Sequence, residues 1–152
     1  MKPSRMDYEE TYRDGEVIVR EGDETREMYV IQSGEVVATT NMEGREMELA
    51  RLGRGKFFGE MSLLESMPRS ATIRAVGETK LLVIKPGSLL LKIRRNPTFA
   101  FEMLQHMSKR IRDTTEQLKK VTIRCSDLDD THQQLNRVQI SSEISVEPED
   151  IG

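Results

Sequence analysis

The sequence predicts a mainly β domain, a sandwich or β-roll with flanking helices, followed by one long C-terminal helix. Three observations carry this. Between Tyr12 and Ile84, short apolar and β-branched runs alternate with glycine-bearing turns. The gaps between the runs leave no room for crossover helices, which excludes a parallel α/β sheet. From Leu104 onward, apolar residues recur at steps of three and four, with no Gly or Pro between Pro97 and Pro148.

Residues 1–12 are polar and of mixed charge, with only a weak signal for a short helix. Val17-Ile18-Val19 follows Gly15 and reads as the first strand. Residues 28–31 follow the turn Glu21-Gly22-Asp23, and residues 36–40 follow Ser33-Gly34. The tetrapeptide Asn41-Met42-Glu43-Gly44 resembles a hairpin turn ahead of residues 47–52. Residues 72–76 and 80–84 flank Gly77-Glu78 and read as two further strands. Pro86-Gly87 ends the last of them. A short helix is expected over 88–95, capped by Ser88 and stopped at Asn96-Pro97, and a second helix opens at Thr98.

Bulk properties narrow the function classes. The 152 residues are enough for one compact domain plus an appendage. A formal net charge of −3 lacks the basic footprint of a nucleic-acid binder. The single cysteine, Cys125, excludes an intrachain disulfide and fits a reducing compartment. No apolar run is long enough to span a bilayer, and the N-terminus lacks the apolar stretch of a signal peptide. A cytoplasmic protein, without membrane or DNA as partner, is expected.

Residues 57–75 hold the chemistry. They read Phe-Phe-Gly-Glu-Met-Ser-Leu-Leu-Glu-Ser-Met-Pro-Arg-Ser-Ala-Thr-Ile-Arg-Ala. The apolar run 61–64 makes about one helical turn, too short to stand on propensity. A helix start offers unpaired N–H groups and the positive end of a dipole, which suit an anion. Gly59 lets the backbone approach a ligand, and Arg69 can fork onto two phosphate oxygens. Glu60 is an acceptor for a sugar hydroxyl. Phosphate and sugar side by side describe a nucleotide. The competing reading, a surface ion pair between Glu60 and Arg69, leaves the surrounding residues unexplained.

This stretch resembles the phosphate-binding cassette of cyclic-nucleotide-binding domains: Phe-Gly-Glu, a few apolar residues, then Pro-Arg-Ser-Ala. The resemblance extends from about Tyr12 to Leu118. It implies a double-stranded β-helix, or jelly-roll-like β-roll. By the same resemblance Arg69 holds the cyclic phosphate and Glu60 the ribose 2′-hydroxyl. Met61 and Ser62 offer backbone N–H groups beside Gly59, and Ser70 offers a hydroxyl, unless it serves only local backbone. Leu49, Leu52 and Ile73 are apolar strand residues near the cassette, core candidates that also suit walls for ribose and base.

The long helix has a heptad seam: Leu104, Met107, Ile111, Thr114, Leu118, Val121, Cys125, Leu128, His132 and Leu135. A helix reaching Leu135 is roughly 55 Å long, more than a small barrel covers. The expectation is a parallel two-stranded coiled coil and hence a homodimer, with Cys125 as a small seam filler. The basic residues Lys109, Arg110, Arg112, Lys119, Lys120 and Arg124 read as a solvated face. Residues 96–118 resemble, without gaps, the long helix of the bacterial catabolite activator family. There the pair matching Thr114 and Thr115 contacts adenine across the dimer, so the resemblance extends that role to them. That family continues into a helix-turn-helix domain, whereas here an acidic stretch follows Arg124.

Enzyme readings fit poorly. Gly53, Gly55 and Gly59 miss dinucleotide spacing, and Lys56 is followed by Phe57 rather than by Ser or Thr, which excludes a P-loop. A cupin-type metal centre needs histidines on strands, and His106 and His132 both fall on the helix. No catalytic or metal-ligating residues and no cofactor are assigned. The organisation expected is a β-roll with short helices over 1–97, a coiled-coil helix over 98–138 and an acidic disordered tail over 139–152. The function expected is a cyclic-nucleotide sensor, with cyclic AMP as ligand and cyclic GMP as the alternative, signalling through a homodimer to a protein partner. A scaffold that has lost nucleotide binding is the competing reading.

Overall fold

A computed structural model describes residues 7–143, with side chains through residue 139. The elements are β1 (Tyr8–Tyr12), β2 (Val17–Val19), β3 (Met28–Met42), β4 (Arg45–Gly53), β5 (Phe57–Phe58), α1 (Glu60–Glu65), β6 (Thr72–Ile84), α2 (Pro86–Arg95) and α3 (Pro97–Glu143). The mainly β fold class is as expected, and its topology is that of a roll.

One antiparallel ribbon organises it. β3 and β6 pair from Met28↔Ile84 to Thr39↔Thr72. On its far edge β3 pairs first with β5 and then with β4. On its far edge β6 pairs with β1 and then β2. Both halves feed one core, in which Tyr29, Ile31, Phe58, Leu81 and Val83 from one end meet Val19, Val36, Ala38 and Ile73 from the other.

The sequence breaks expected at Ser33-Gly34 and at Gly77-Glu78 are corrected: neither splits a strand. They are the bend of the ribbon. Ser33 pairs with Lys80 and Glu35 with Val76, so β6 makes an excursion over 77–79. Gly34 sits there at φ +83°, where an added Cβ would lie 2.5 Å from the Glu78 carbonyl oxygen. The fully buried Thr79 donates its hydroxyl to the Glu35 carbonyl at 2.9 Å, replacing a ladder bond lost at the bend. Glycine marks a turn and a bulge alike, and only cross-strand pairing separates them.

Three further expectations are corrected. Residues 8–12 form β1, paired with the edge of β6 from Tyr8↔Val83 to Tyr12↔Thr79. The strand is specified by its partner rather than by its own polar sequence. α2 begins at Pro86 with Lys85 as N-cap, so Ser88 is not the cap. Proline supplies the helical φ and has no N–H to satisfy at the first position. α3 begins at Pro97 rather than Thr98 and continues through residues 139–143, the first part of the expected tail. The rest of the tail, residues 144–152, lies outside the described residues.

The chain divides into two compact units between Met103 and Leu104. In the first, the opening turns of α3 bury Phe99 and Met103. In the second, α3 carries an exposed apolar stripe: Leu104, Ile111, Leu118, Val121, Leu128 and Leu135 are each more than half exposed. Among the described residues no helix is long and apolar enough to cross a membrane.

Candidate functional site

The local fold around residues 59–69 follows from two buried polar side chains. Glu60 and Arg69 are each 4% exposed. Gly59 caps α1 in the left-handed region, φ 84°, and Leu63 N–H closes the first turn onto its carbonyl at 3.2 Å. A side chain at position 59 would meet Arg69 Nη1 at 2.6 Å and the Glu27 carbonyl oxygen at 2.7 Å. Glycine is therefore required both by φ and by space. Glu60 and Met61 open the helix, where N–H groups lack intrahelical partners. Ser62 is buried and Met61 exposed.

Arg69 is fixed by the loop before β3. Its Nε donates to Thr25 Oγ1 at 3.0 Å, and Nη2 donates to the Glu27 carbonyl at 2.8 Å. Nη1 reaches the Gly59 carbonyl at 3.4 Å. The Arg69 carbon lies 5.7 Å above the Tyr29 ring, and Tyr29 stacks on Phe58 at 4.9 Å. The backbone is tied as well: Arg69 N–H donates to Asp23 O and Gly22 N–H to Arg69 O, both at 2.8 Å. The guanidinium is thus locked in orientation before any ligand arrives. Burial lowers its pKa, and Tyr29, Glu27, Asp23 and Glu60 oppose that effect. Burial in turn pushes the Tyr29 hydroxyl up to about 12.

The other expected site residues are distributed as follows. Ser70 is exposed beside Arg69. Leu49 is the unopposed residue of a bulge in β4, because Ala38 pairs with Ala50 and Thr39 with Glu48. It is 55% exposed, and bulges commonly re-aim a side chain near a site. Leu52 packs partly buried on the core, and Ile73 lies within it. Thr114 and Thr115 belong to the second unit; both are exposed, and Thr115 Oγ1 donates to the Ile111 carbonyl at 2.8 Å. Thr25, Glu27 and Tyr29 are the contributors that sequence reasoning missed. Tyr29 read only as a strand residue, and no local signal links residues 25–27 to an arginine more than forty positions later. Among the described residues no group of three or more His, Cys, Asp or Glu side chains is placed to hold a metal ion.

A buried, oriented guanidinium beside a buried carboxylate and a glycine-started helix suits an anion joined to a hydroxylated group. Comparison with known proteins agrees with that chemistry. The family model for the cyclic nucleotide-binding domain matches residues 9–96. The chain is 38% identical over 108 residues to the cyclic AMP receptor protein of Thermus thermophilus, covering 70% of this chain and 50% of that protein. It is 34% identical over 116 residues to the cAMP-dependent protein kinase type II regulatory subunit of Drosophila melanogaster, covering 73% and 28%. The crystal structure of the Thermus thermophilus catabolite activator protein superposes with a TM-score of 0.69 at 35% identity, over 77% of this chain and 55% of that one. The chain spans half or less of the length of the curated relatives it matches. With a family match over more than half its length, this chain belongs to the cyclic nucleotide-binding domain family.

Proposed function

We propose that this chain is a regulatory sensor whose ligand is cyclic AMP. The observation that carries the reading is the orientation of Arg69, buried and hydrogen-bonded to the Thr25 hydroxyl and to the Glu27 and Gly59 carbonyls, next to Glu60 and the start of α1. In this reading Arg69 forks onto the cyclic phosphate, with N–H groups of Met61 and Ser62 and the Ser70 hydroxyl completing the anion contacts. Glu60 accepts from the ribose 2′-hydroxyl. Leu49 and Leu52 wall the ribose and base from the exposed side, and Ile73 from the core. Thr114 and Thr115 meet the adenine across a homodimer formed by the α3 stripe. Cyclic GMP is the alternative ligand. Such a site works by binding one of two arrangements more tightly, and a protein partner reads the difference. In this reading the chain binds and releases its ligand without breaking a bond, as a regulator rather than an enzyme, and acts in the cytoplasm.

The test is calorimetric titration with cyclic AMP and cyclic GMP, with Arg69→Ala alongside. Micromolar or tighter binding that the substitution weakens at least thirtyfold supports the reading. Absence of binding by both nucleotides overturns it in favour of a scaffold. The dimer has its own check. In a parallel coiled coil Cys125 faces its mate at the seam, so mild oxidation should give a disulfide-linked dimer that Leu118→Asp prevents. Cross-linking equally efficient in Leu118→Asp would count against the seam.

A further inference from the structure

We propose that Glu27 determines which phosphates the site accepts: its carboxylate, fixed beside Arg69, selects singly charged cyclic phosphates against doubly charged phosphate monoesters. The inference deepens the cyclic-nucleotide reading above and rests on it.

Glu27 acts on Arg69 through two groups. Its carbonyl takes Nη2 at 2.8 Å and aims the guanidinium. Its carboxylate Oε2 stands 3.8 Å from the same nitrogen, too far for a hydrogen bond and near enough to subtract charge. That oxygen is itself oriented, since the Arg26 N–H donates to it at 3.2 Å. The side chain is one-third exposed, so screening moderates its field without removing it. Asp23, paired through backbone to Arg69, and the buried Glu60 add two more carboxylates to the same guanidinium's surroundings.

The guanidinium therefore has the Glu27 carboxylate at 3.8 Å and feels two further carboxylates, Asp23 and Glu60, in the same neighbourhood. A sugar phosphate entering here gains from Arg69 and is repelled by Glu27. A cyclic phosphate diester carries one negative charge, whereas a phosphate monoester carries close to two above its second pKa of about 6. Repulsion scales with ligand charge. Glu60 offsets its own repulsion by accepting a hydroxyl, and Glu27 has no such return from the ligand. Repulsion built against the wrong ligand is a recognised source of specificity.

The scaling gives the test. Glu27→Gln keeps the backbone carbonyl and an oxygen able to face Arg26, and removes the charge while putting an amide NH2 in place of the other carboxylate oxygen. A hydrogen bond from that NH2 would raise both affinities alike, whereas loss of charge raises them unequally. Binding of cyclic AMP and 5′-AMP is measured at pH 8, the latter by competition against cyclic AMP, in low and in 0.5 M salt. At low salt Glu27→Gln should bind cyclic AMP about threefold tighter and 5′-AMP about tenfold tighter, the second factor approximating the square of the first. High salt should shrink both gains. Equal factors for the two nucleotides, no change, or weaker binding of both would overturn the proposal while leaving the sensor reading intact. A wild type that binds neither nucleotide would instead remove the reading on which it rests.

Discussion

Among the described residues the first unit buries two cations, Lys92 and Arg69, and they are handled in opposite ways. Lys92 is 7% exposed, and its Nζ lies 2.6 Å from Asp7 Oδ2, whose side chain is fully buried. The other Asp7 oxygen accepts from Ser88 Oγ at 2.6 Å, and the Phe99 ring lies 5.8 Å from Nζ. The cluster ties the segment before β1 to α2 and to the start of α3, and its charge is cancelled on the spot. Arg69 is as deeply buried, yet its hydrogen bonds go to a hydroxyl and two carbonyls, and the nearest carboxylate stands off at 3.8 Å. A contact ion pair leaves little field for a third party. A cation satisfied by neutral acceptors keeps its charge available in a fixed direction. Burial alone therefore does not mark a ligand-binding cation; the kind of partner does.

The largest expected effect breaks the structural half of this comparison. Lys92→Ala takes the counter-charge from the buried Asp7 carboxylate and should cost about 3–5 kcal/mol of stability by denaturant unfolding. The double substitution Asp7→Asn with Lys92→Met should recover much of that loss. Nucleotide affinity of the folded protein should be unchanged in both, and a parallel loss of affinity would show that the two cations are not separate. Arg69→Ala inverts the pattern. It should weaken cyclic-nucleotide binding by about 2–3 kcal/mol while costing about 1–2 kcal/mol of stability, because the partners it leaves are neutral and sit on the half-buried residues Glu27 and Gly59. Arg69→Lys keeps the charge but loses the fork, and should weaken binding about tenfold. If lysine binds as well as arginine, orientation by Thr25 and Glu27 is not what matters.

The same contrast explains what was legible in the sequence. The cassette could be read because its residues are local: Gly59, Glu60 and Arg69 fall within eleven positions of one another, and each has a residue-type requirement that spacing displays. The strand runs, the glycine punctuation and the apolar period of α3 were legible for the same reason. What escaped depended on pairing across the ribbon. Gly34 and Gly77 read as strand ends in the sequence, yet they lie where β3 and β6 bend together, and β1 has no signal apart from its partner. The Asp7–Lys92 pair spans 85 positions and the Arg69–Glu27 contact 42. Nothing in the type of either lysine or glutamate announces such a partner.

The smallest effect concerns the ring beneath Arg69 and sharpens how its surroundings are held. Tyr29 is 7% exposed, and burial pushes its hydroxyl from the ordinary 10 up to about 12. The raised value means that the folded state resists ionisation, so its contribution is fully present below pH 10. It is lost as pH rises toward 12, where the unfolded chain releases a proton that the native protein keeps. At pH 11 the loss should be on the order of 1 kcal/mol. Tyr8 and Tyr12 are shifted in the same direction, Tyr12 through burial and its bond to Glu10, so the alkaline slope is shared. Tyr29→Phe keeps the stack on Phe58 and should flatten that slope between pH 10 and 12 while leaving stability at pH 7 within about 1 kcal/mol. An unchanged alkaline slope would mean that the hydroxyl is solvated in the folded protein. The floor under Arg69 would then be wet, and the field that sets its ligand charge would be screened from below as well as from the side.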